Sequence, residues 1–318
     1  MKRWLLGLIG VLVAIAGGAF AAIELRWKRT FDIAPPALTF VSDEAAIERG
    51  RYLIYGPAAC AYCHVPRERW STLAEGTELP LTGNHVFRLP PGEFVSANLT
   101  PDPATGIGRR TDAQIARMLR HGVRADNRAA FPLMSYQNLS DDDVVAIVAF
   151  LKSRPPVVSA VPDHRLTLLG KALMAFAIAP AGPATTPPRT SPAGPSVERG
   201  EYLANAVSAC AECHTDRGDN GQLIGPRFGG GQRMDLADPT KIAVPPNLTP
   251  DADTSPIGRW DEGMFVVRFR AGEVEPGTPM PWGAFAHMTE DDVRSIYRYL
   301  RTLPPTRHDT GPGMQKRQ

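Results

Sequence analysis

Cys60-Ala-Tyr-Cys63-His64 and Cys210-Ala-Glu-Cys213-His214 decide the reading of this chain. Together they use all four cysteines, so no thiol is left over. A disulfide between cysteines two residues apart is rare outside redox folds, and a thioredoxin-like centre needs one such motif in a βαβ context. A zinc ribbon would join both pairs into one four-cysteine site, yet 150 residues separate them. Neither alternative explains a histidine directly after each second cysteine. Covalent haem attachment does. Two thiols about one helical turn apart add to the two vinyl groups, and the imidazole that follows turns to the iron as proximal ligand. Cys60, Cys63, Cys210 and Cys213 are the attachment candidates, and His64 and His214 the axial ones. Two covalent haem c groups are expected. Their attachment takes place outside the bacterial cytoplasm, so the chain should be exported.

The N-terminus fits export. Lys2 and Arg3 precede an uncharged run from Trp4 to Ile23. At about 1.5 Å per residue, such a run can span a bilayer core. Ala19-Phe20-Ala21 also fits a signal-peptidase site. Residues 1–29 are therefore an inner-membrane anchor or a cleaved signal. The body would then lie on the periplasmic side, tethered or free. The first 29 residues carry Lys2, Arg3, Arg26, Lys28 and Arg29 against Glu24; with a whole-chain charge of +2, the remainder is slightly acidic. That balance argues against a nucleic-acid partner.

Around the two motifs the sequence repeats. Glu48-Arg49-Gly50-Arg51-Tyr52-Leu53 returns as Glu198-Arg199-Gly200-Glu201-Tyr202-Leu203. Asn98-Leu99-Thr100-Pro101-Asp102 returns as Asn247-Leu248-Thr249-Pro250-Asp251, and Ile107-Gly108-Arg109 as Ile257-Gly258-Arg259. Phe150-Leu151-Lys152-Ser153-Arg154-Pro155-Pro156 returns as Tyr299-Leu300-Arg301-Thr302-Leu303-Pro304-Pro305. The period is too long for a solenoid, so each copy should be a domain, over residues 43–156 and 197–305.

Each copy reads as helical. Ser42, Asp43 and Glu44 open a helix over 45–55 with an acidic first turn. Thr111 caps a second helix with Ile115, Met118 and Leu119 on one face. Ser140 with Asp143 is an acidic variant of the capping box, starting a helix that Pro155 stops. The second copy repeats this over 197–207, 261–271 and 289–303. Strand signals are sparse, which predicts an all-α chain. Residues 157–196 connect the copies: an apolar stretch over 165–179 that forms a short helix packed on a domain, then a Pro-rich extended linker. Residues 306–318 read as a disordered tail.

A methionine sulfur raises the potential of a haem iron and a second histidine lowers it. Met134 and Met280 both sit in Pro-containing loops ahead of the last helix of their copy. They are the candidate sixth ligands. Met118 reads as core, and Met288, directly before the Thr289 cap, competes with Met280. His85, His121, His164, His287 and His308 have no counterpart in the other copy and read as surface or hydrogen-bonded residues. No pairing of nucleophile with base suggests a catalytic residue.

The two haem motifs, the Asn-Leu-Thr-Pro-Asp and Ile-Gly-Arg runs, the Arg-Gly-x-Tyr-Leu helix and the Pro-Met-Pro-Trp loop make the chain resemble the class I cytochrome c family. It is similar to the multihaem cytochrome c subunits of bacterial alcohol, gluconate and nicotinate-type dehydrogenases. The resemblance covers about residues 43–156 and 197–305. It implies two tandem class I domains wrapped around haem after an N-terminal apolar helix, His/Met ligation, and Pro80 and Pro226 as carbonyl acceptors for the axial histidines. It implies electron transfer from a dehydrogenase donor to an oxidase or soluble cytochrome. Two departures stand out: those subunits commonly carry three haem modules, and Ser135 follows Met134 where Pro is usual. The rival reading is a haem enzyme, such as a dihaem peroxidase or thiosulfate dehydrogenase, with one open or unusually ligated iron.

Overall fold

The computed structural model describes residues 2–218, 221–236 and 238–317. A long apolar helix, α1 (Lys2–Arg26), precedes the body. The first repeat holds α2 (Glu44–Tyr55), α3 (Cys60–His64), α4 (Trp70–Ala74), α5 (Asp112–His121) and α6 (Asp141–Ser153). The connecting segment holds α7 (Leu168–Ala172), which runs on as a π-type turn over Leu173–Ala177. The second repeat holds α8 (Val197–Tyr202), continued by a π-type turn over Leu203–Val207, then α9 (Cys210–Cys213), α10 (Pro256–Arg259), α11 (Glu262–Arg270), α12 (Trp282–Phe285) and α13 (Glu290–Thr302).

The helices start where their capping residues fall. Asp43 accepts from Ala46 N at 2.8 Å, and Thr111 with Gln114 forms a full reciprocal box. In each repeat the first helix crosses the last at a glycine. A Cβ on Gly50 would lie 2.0 Å from Ala146 O, and one on Gly200 1.8 Å from Ser295 O. Only glycine permits that approach, which is why Arg-Gly-x-Tyr-Leu recurs. Leu53, Ile54, Val144, Ile147 and Phe150 fill the first crossing, and Leu203, Val293, Ile296 and Leu300 the second.

The all-α expectation needs correction, because two small antiparallel sheets are present. β1 (Val86–Leu89), β2 (Gly92–Val95) and β3 (Arg165–Leu166) form one, in that order. β4 (Met234–Asp235), β5 (Lys241–Ala243) and β6 (Met314–Lys316) form the other. Strands of two to four residues are too short to display a period-two pattern. The third strand of each sheet comes from the chain that follows the last helix of its repeat. Residues 306–318, expected to be disordered, thus supply β6, which pairs with β5 from Lys241↔Lys316 to Ala243↔Met314.

The repeats meet through a reciprocal contact. Tyr202 of the second donates to Asp143 Oδ2 of the first at 2.7 Å and accepts from Ser140 N at 2.9 Å. Tyr52 of the first donates to Asp292 Oδ2 of the second at 2.6 Å and accepts from Thr289 N at 3.1 Å. Each tyrosine thus inserts into the capping box of the other repeat's last helix. It takes the N–H that the boxed carboxylate would otherwise accept. Each carboxylate is also held by the arginine of its own first helix: Asp143 by Arg49, at 2.8 and 2.9 Å, and Asp292 by Arg199. Both carboxylates are almost fully buried, so the two ion pairs need the tyrosine hydroxyls to complete their hydrogen bonding. Among the described residues, a second contact lacks this symmetry. α12 packs on α4, and a Cβ on Gly283 would lie 1.8 Å from the Tyr62 hydroxyl and 2.8 Å from the Ala74 Cβ.

Candidate functional site

Each Cys-x-x-Cys-His run begins on a left-handed residue, Ala59 at φ 50° and Ala209 at φ 48°. An alanine in that region is strained, and its occurrence at the same step of both repeats marks a built turn. The turn delivers the chain into α3 and α9, whose single helical turns place both thiols on one side. Ala61 and Ala211, between the cysteines, are buried against the core.

The two candidate axial histidines are held alike. His64 Nδ1 lies 2.8 Å from Ala97 O, and His214 Nδ1 2.9 Å from Pro246 O. A carbonyl only accepts, so Nδ1 carries the proton and Nε2 keeps its lone pair. Burial pushes the pKa of both rings down, which favours the neutral form needed for ligation. Backbone bonds tighten the hold: Gly83 N donates to His64 O and Gly230 N to His214 O.

The carbonyl acceptors correct the expectation. Pro80 O accepts from Thr82 N, and Pro226 O from Gly229 N; neither proline carbonyl reaches a histidine. The residues used instead, Ala97 and Pro246, directly precede the two Asn-Leu-Thr-Pro-Asp runs. β2 and β5 lead the chain to them. Asn98 then locks the position: it donates to Val157 O at 2.9 Å and accepts from Thr100 N at 3.0 Å. Asn247 does the same with Thr306 O at 2.8 Å and Thr249 N at 2.9 Å. The repeated asparagine was the signal for these acceptors. It marks a latch that ties the histidine's carbonyl to the chain leaving the last helix.

Met134 and Met280 both lie half-buried in their loops. Two residues after Met134, the Tyr136 hydroxyl donates to Ala58 O, just ahead of Cys60. This brings the Met134 loop to the attachment motif. Met280 packs against the core, where α12 fills the longer second loop. Met288 is 1 % exposed and belongs to the core proper. Met118 is only half-buried on its helix, where Ala116, Arg117 and Arg120 are the buried residues.

Of the remaining histidines, His164 accepts from Val95 N, His308 donates to Gly229 O, and His287 contacts Ala74 O across the repeats. His121 is half-buried. His85 departs from expectation: it is buried between the rings of Trp70 and Phe87, at centroid distances of 5.2 and 4.5 Å, with Nδ1 unpartnered.

The donor set fits haem c and fits its rivals poorly. Burial pushes the Cys60 thiol up to about 12, the Cys63 thiol up to about 11 and the Cys210 thiol up to about 12. A redox-active thiol or zinc ligand needs the opposite shift. Among the described residues, no group of three or more His, Cys, Asp or Glu is placed to share one metal ion. Two thiols and one free imidazole nitrogen, on apolar walls and twice over, are the donors that a covalent haem requires.

Comparison with known proteins agrees. No protein-family model matches the chain. The cytochrome c subunit of alcohol dehydrogenase (quinone) from Gluconobacter oxydans is 32 % identical over 301 residues, covering 87 % of this chain and 60 % of that protein. The chain is a homologue of dehydrogenase cytochrome c subunits. The gluconate 2-dehydrogenase cytochrome c subunit of Pantoea cypripedii is 28 % identical over 82 % of this chain and 60 % of its own length. A diheme cytochrome c-type protein of Cereibacter sphaeroides is 29 % identical over 92 % of this chain and 96 % of its own length. The chain therefore spans about 60 % of the length of these two dehydrogenase subunits. These relatives imply covalently bound haem c.

Proposed function

We propose that this homologue carries two covalent haems in two tandem class I cytochrome c domains and passes single electrons from a dehydrogenase to an oxidase or soluble cytochrome. Cys60, Cys63, Cys210 and Cys213 attach the haems. His64 and His214, with Met134 and Met280, would hold the two irons. The observation that carries this is the matched histidine hold, with Nδ1 on a carbonyl beside Asn98 or Asn247 and Nε2 free. When bound, haem supplies one-electron iron chemistry. The chain's own residues orient the imidazoles, raise their basicity through the Nδ1 bond, and wall off water. α1 supports a position at the periplasmic face of the inner membrane: its most apolar window has mean hydropathy 2.4 and no part buried in the body.

The far-red charge-transfer band of ferric iron bound to methionine sulfur tests the ligation. Two equivalents per chain, with no peroxide turnover, are expected of the carrier. One equivalent, with turnover of peroxide or thiosulfate, would favour the open-iron enzyme instead.

A further inference from the structure

Leu168–Ala177 reads Leu-Leu-Gly-Lys-Ala-Leu-Met-Ala-Phe-Ala, apolar except for Lys171. At about 1.5 Å per residue it is half the length needed to cross a bilayer core. One side of it is fixed to the body. Ala175 is fully buried, and Gly170 lies so near Pro91 that a Cβ would be 2.0 Å from Pro91 O. The other side is bare: Leu168, Leu169 and Phe176 are each more than half exposed.

The same segment is bolted to the end of α1. Arg26 Nε donates to Ala175 O at 3.1 Å, and Arg29 to Ile178 O at 2.7 Å. Lys171 pairs with Glu24 at 2.6 Å and lies 5.4 Å over the Trp27 ring. Leu25, next to these groups, is 88 % exposed. The hairpin between β1 and β2, with Leu89 exposed at its tip, is held against α7 through Thr167 N and Pro91 O.

We propose that Leu168–Ala177 is a membrane seat: an interfacial segment whose bare face enters the lipid from which α1 emerges. The proposal rests on the reading of α1 as a retained anchor. Lipid is the occupant because the bare face is continuous with the helix that lipid must cover. The residues at the join have the interfacial pattern. Trp27 supplies the amphipathic ring, and the exposed Arg26 and Lys28 supply cations on stems long enough to reach anionic headgroups. An anchor alone would leave the body free to swivel. A seat bonded to the anchor fixes which face of the first repeat looks toward the membrane and which toward soluble partners.

The test uses the full-length haem-loaded protein in vesicles of neutral and anionic phospholipid. A nitroxide is placed at L25C, L169C or F176C, with V274C as the exposed control in the second repeat. Collision with oxygen, which concentrates in lipid, is compared with collision with a water-soluble nickel chelate. The expected result is an oxygen-to-nickel ratio several-fold higher at positions 25, 169 and 176 than at 274. A high ratio at 25 alone overturns the seat and keeps the anchor. Ratios at 169 and 176 that rise without 25 keep the seat and remove the anchor. Aqueous values at all sites overturn both, and leave the bare face to a protein partner.

Discussion

The two repeats share one device and differ in another. The Tyr–Asp–Arg arrangement is the same on both sides: Tyr202 with Asp143 and Arg49, Tyr52 with Asp292 and Arg199. Among the described residues the α12–α4 contact has no twin. Gly283 presses on Tyr62, which stands between the cysteines of the first motif, whereas Glu212 at that place in the second motif pairs with Arg217. Symmetric contacts set the relative placement of the repeats. The asymmetric one makes the surroundings of the two attachment motifs unequal. Two chemically matched sites can thus acquire different environments, as a directional electron path requires.

The largest effects should come from the shared device. Asp143→Ala and Asp292→Ala each deprive a half-buried arginine of its carboxylate and a tyrosine hydroxyl of its acceptor, with an expected loss of about 3–5 kcal/mol. Denaturant titration should give similar losses for both variants; a large loss for one alone would break the symmetry. Gly283→Ala acts only on the asymmetric contact. It forces a methyl into Tyr62 and Ala74, at about 1–3 kcal/mol, and, on the proposed function, should shift the visible spectrum of a haem at the first motif more than that of one at the second.

Tyr202→Phe and Tyr52→Phe remove three hydrogen bonds each and should cost about 1–3 kcal/mol, more for the buried Tyr202. The pH dependence sharpens this. Burial, and next the Asp292 charge, push the Tyr52 hydroxyl up to about 12 from an ordinary 10.0. A raised pKa means that its contribution is whole below the ordinary value and is lost as pH rises through about 12. The Tyr52→Phe variant should therefore lose less stability than the parent over that alkaline window. The smallest effect belongs to Tyr62→Phe. Its hydroxyl is buried without a partner, so its removal should be neutral or stabilising by up to about 1 kcal/mol.

Much of this was legible in the sequence, for identifiable reasons. Caps announce helices through single side chains, so Asp43, Thr111, Ser140 and Thr289 fall at the observed starts. The helix-crossing glycines were visible as a repeat. The acceptor carbonyls were not, because any residue offers a carbonyl; only the flanking Asn98 and Asn247 betrayed them. The local strand pairs escaped because they are too short to show a period-two pattern, and the third strands because pairing across some 70 residues leaves no local pattern. The capping box of Ser140 and Asp143 was legible, but its opening to admit Tyr202 depends on a residue in the other repeat.

The most direct test of the account is the haem content per chain of the exported protein, by pyridine haemochrome assay. It should be compared with that of the double variants Cys60→Ala/Cys63→Ala and Cys210→Ala/Cys213→Ala. The account predicts two covalent haems in the parent and one in each variant, with electrons accepted by the parent from a reduced dehydrogenase. A parent with a single haem, or a variant that loses none, would contradict it.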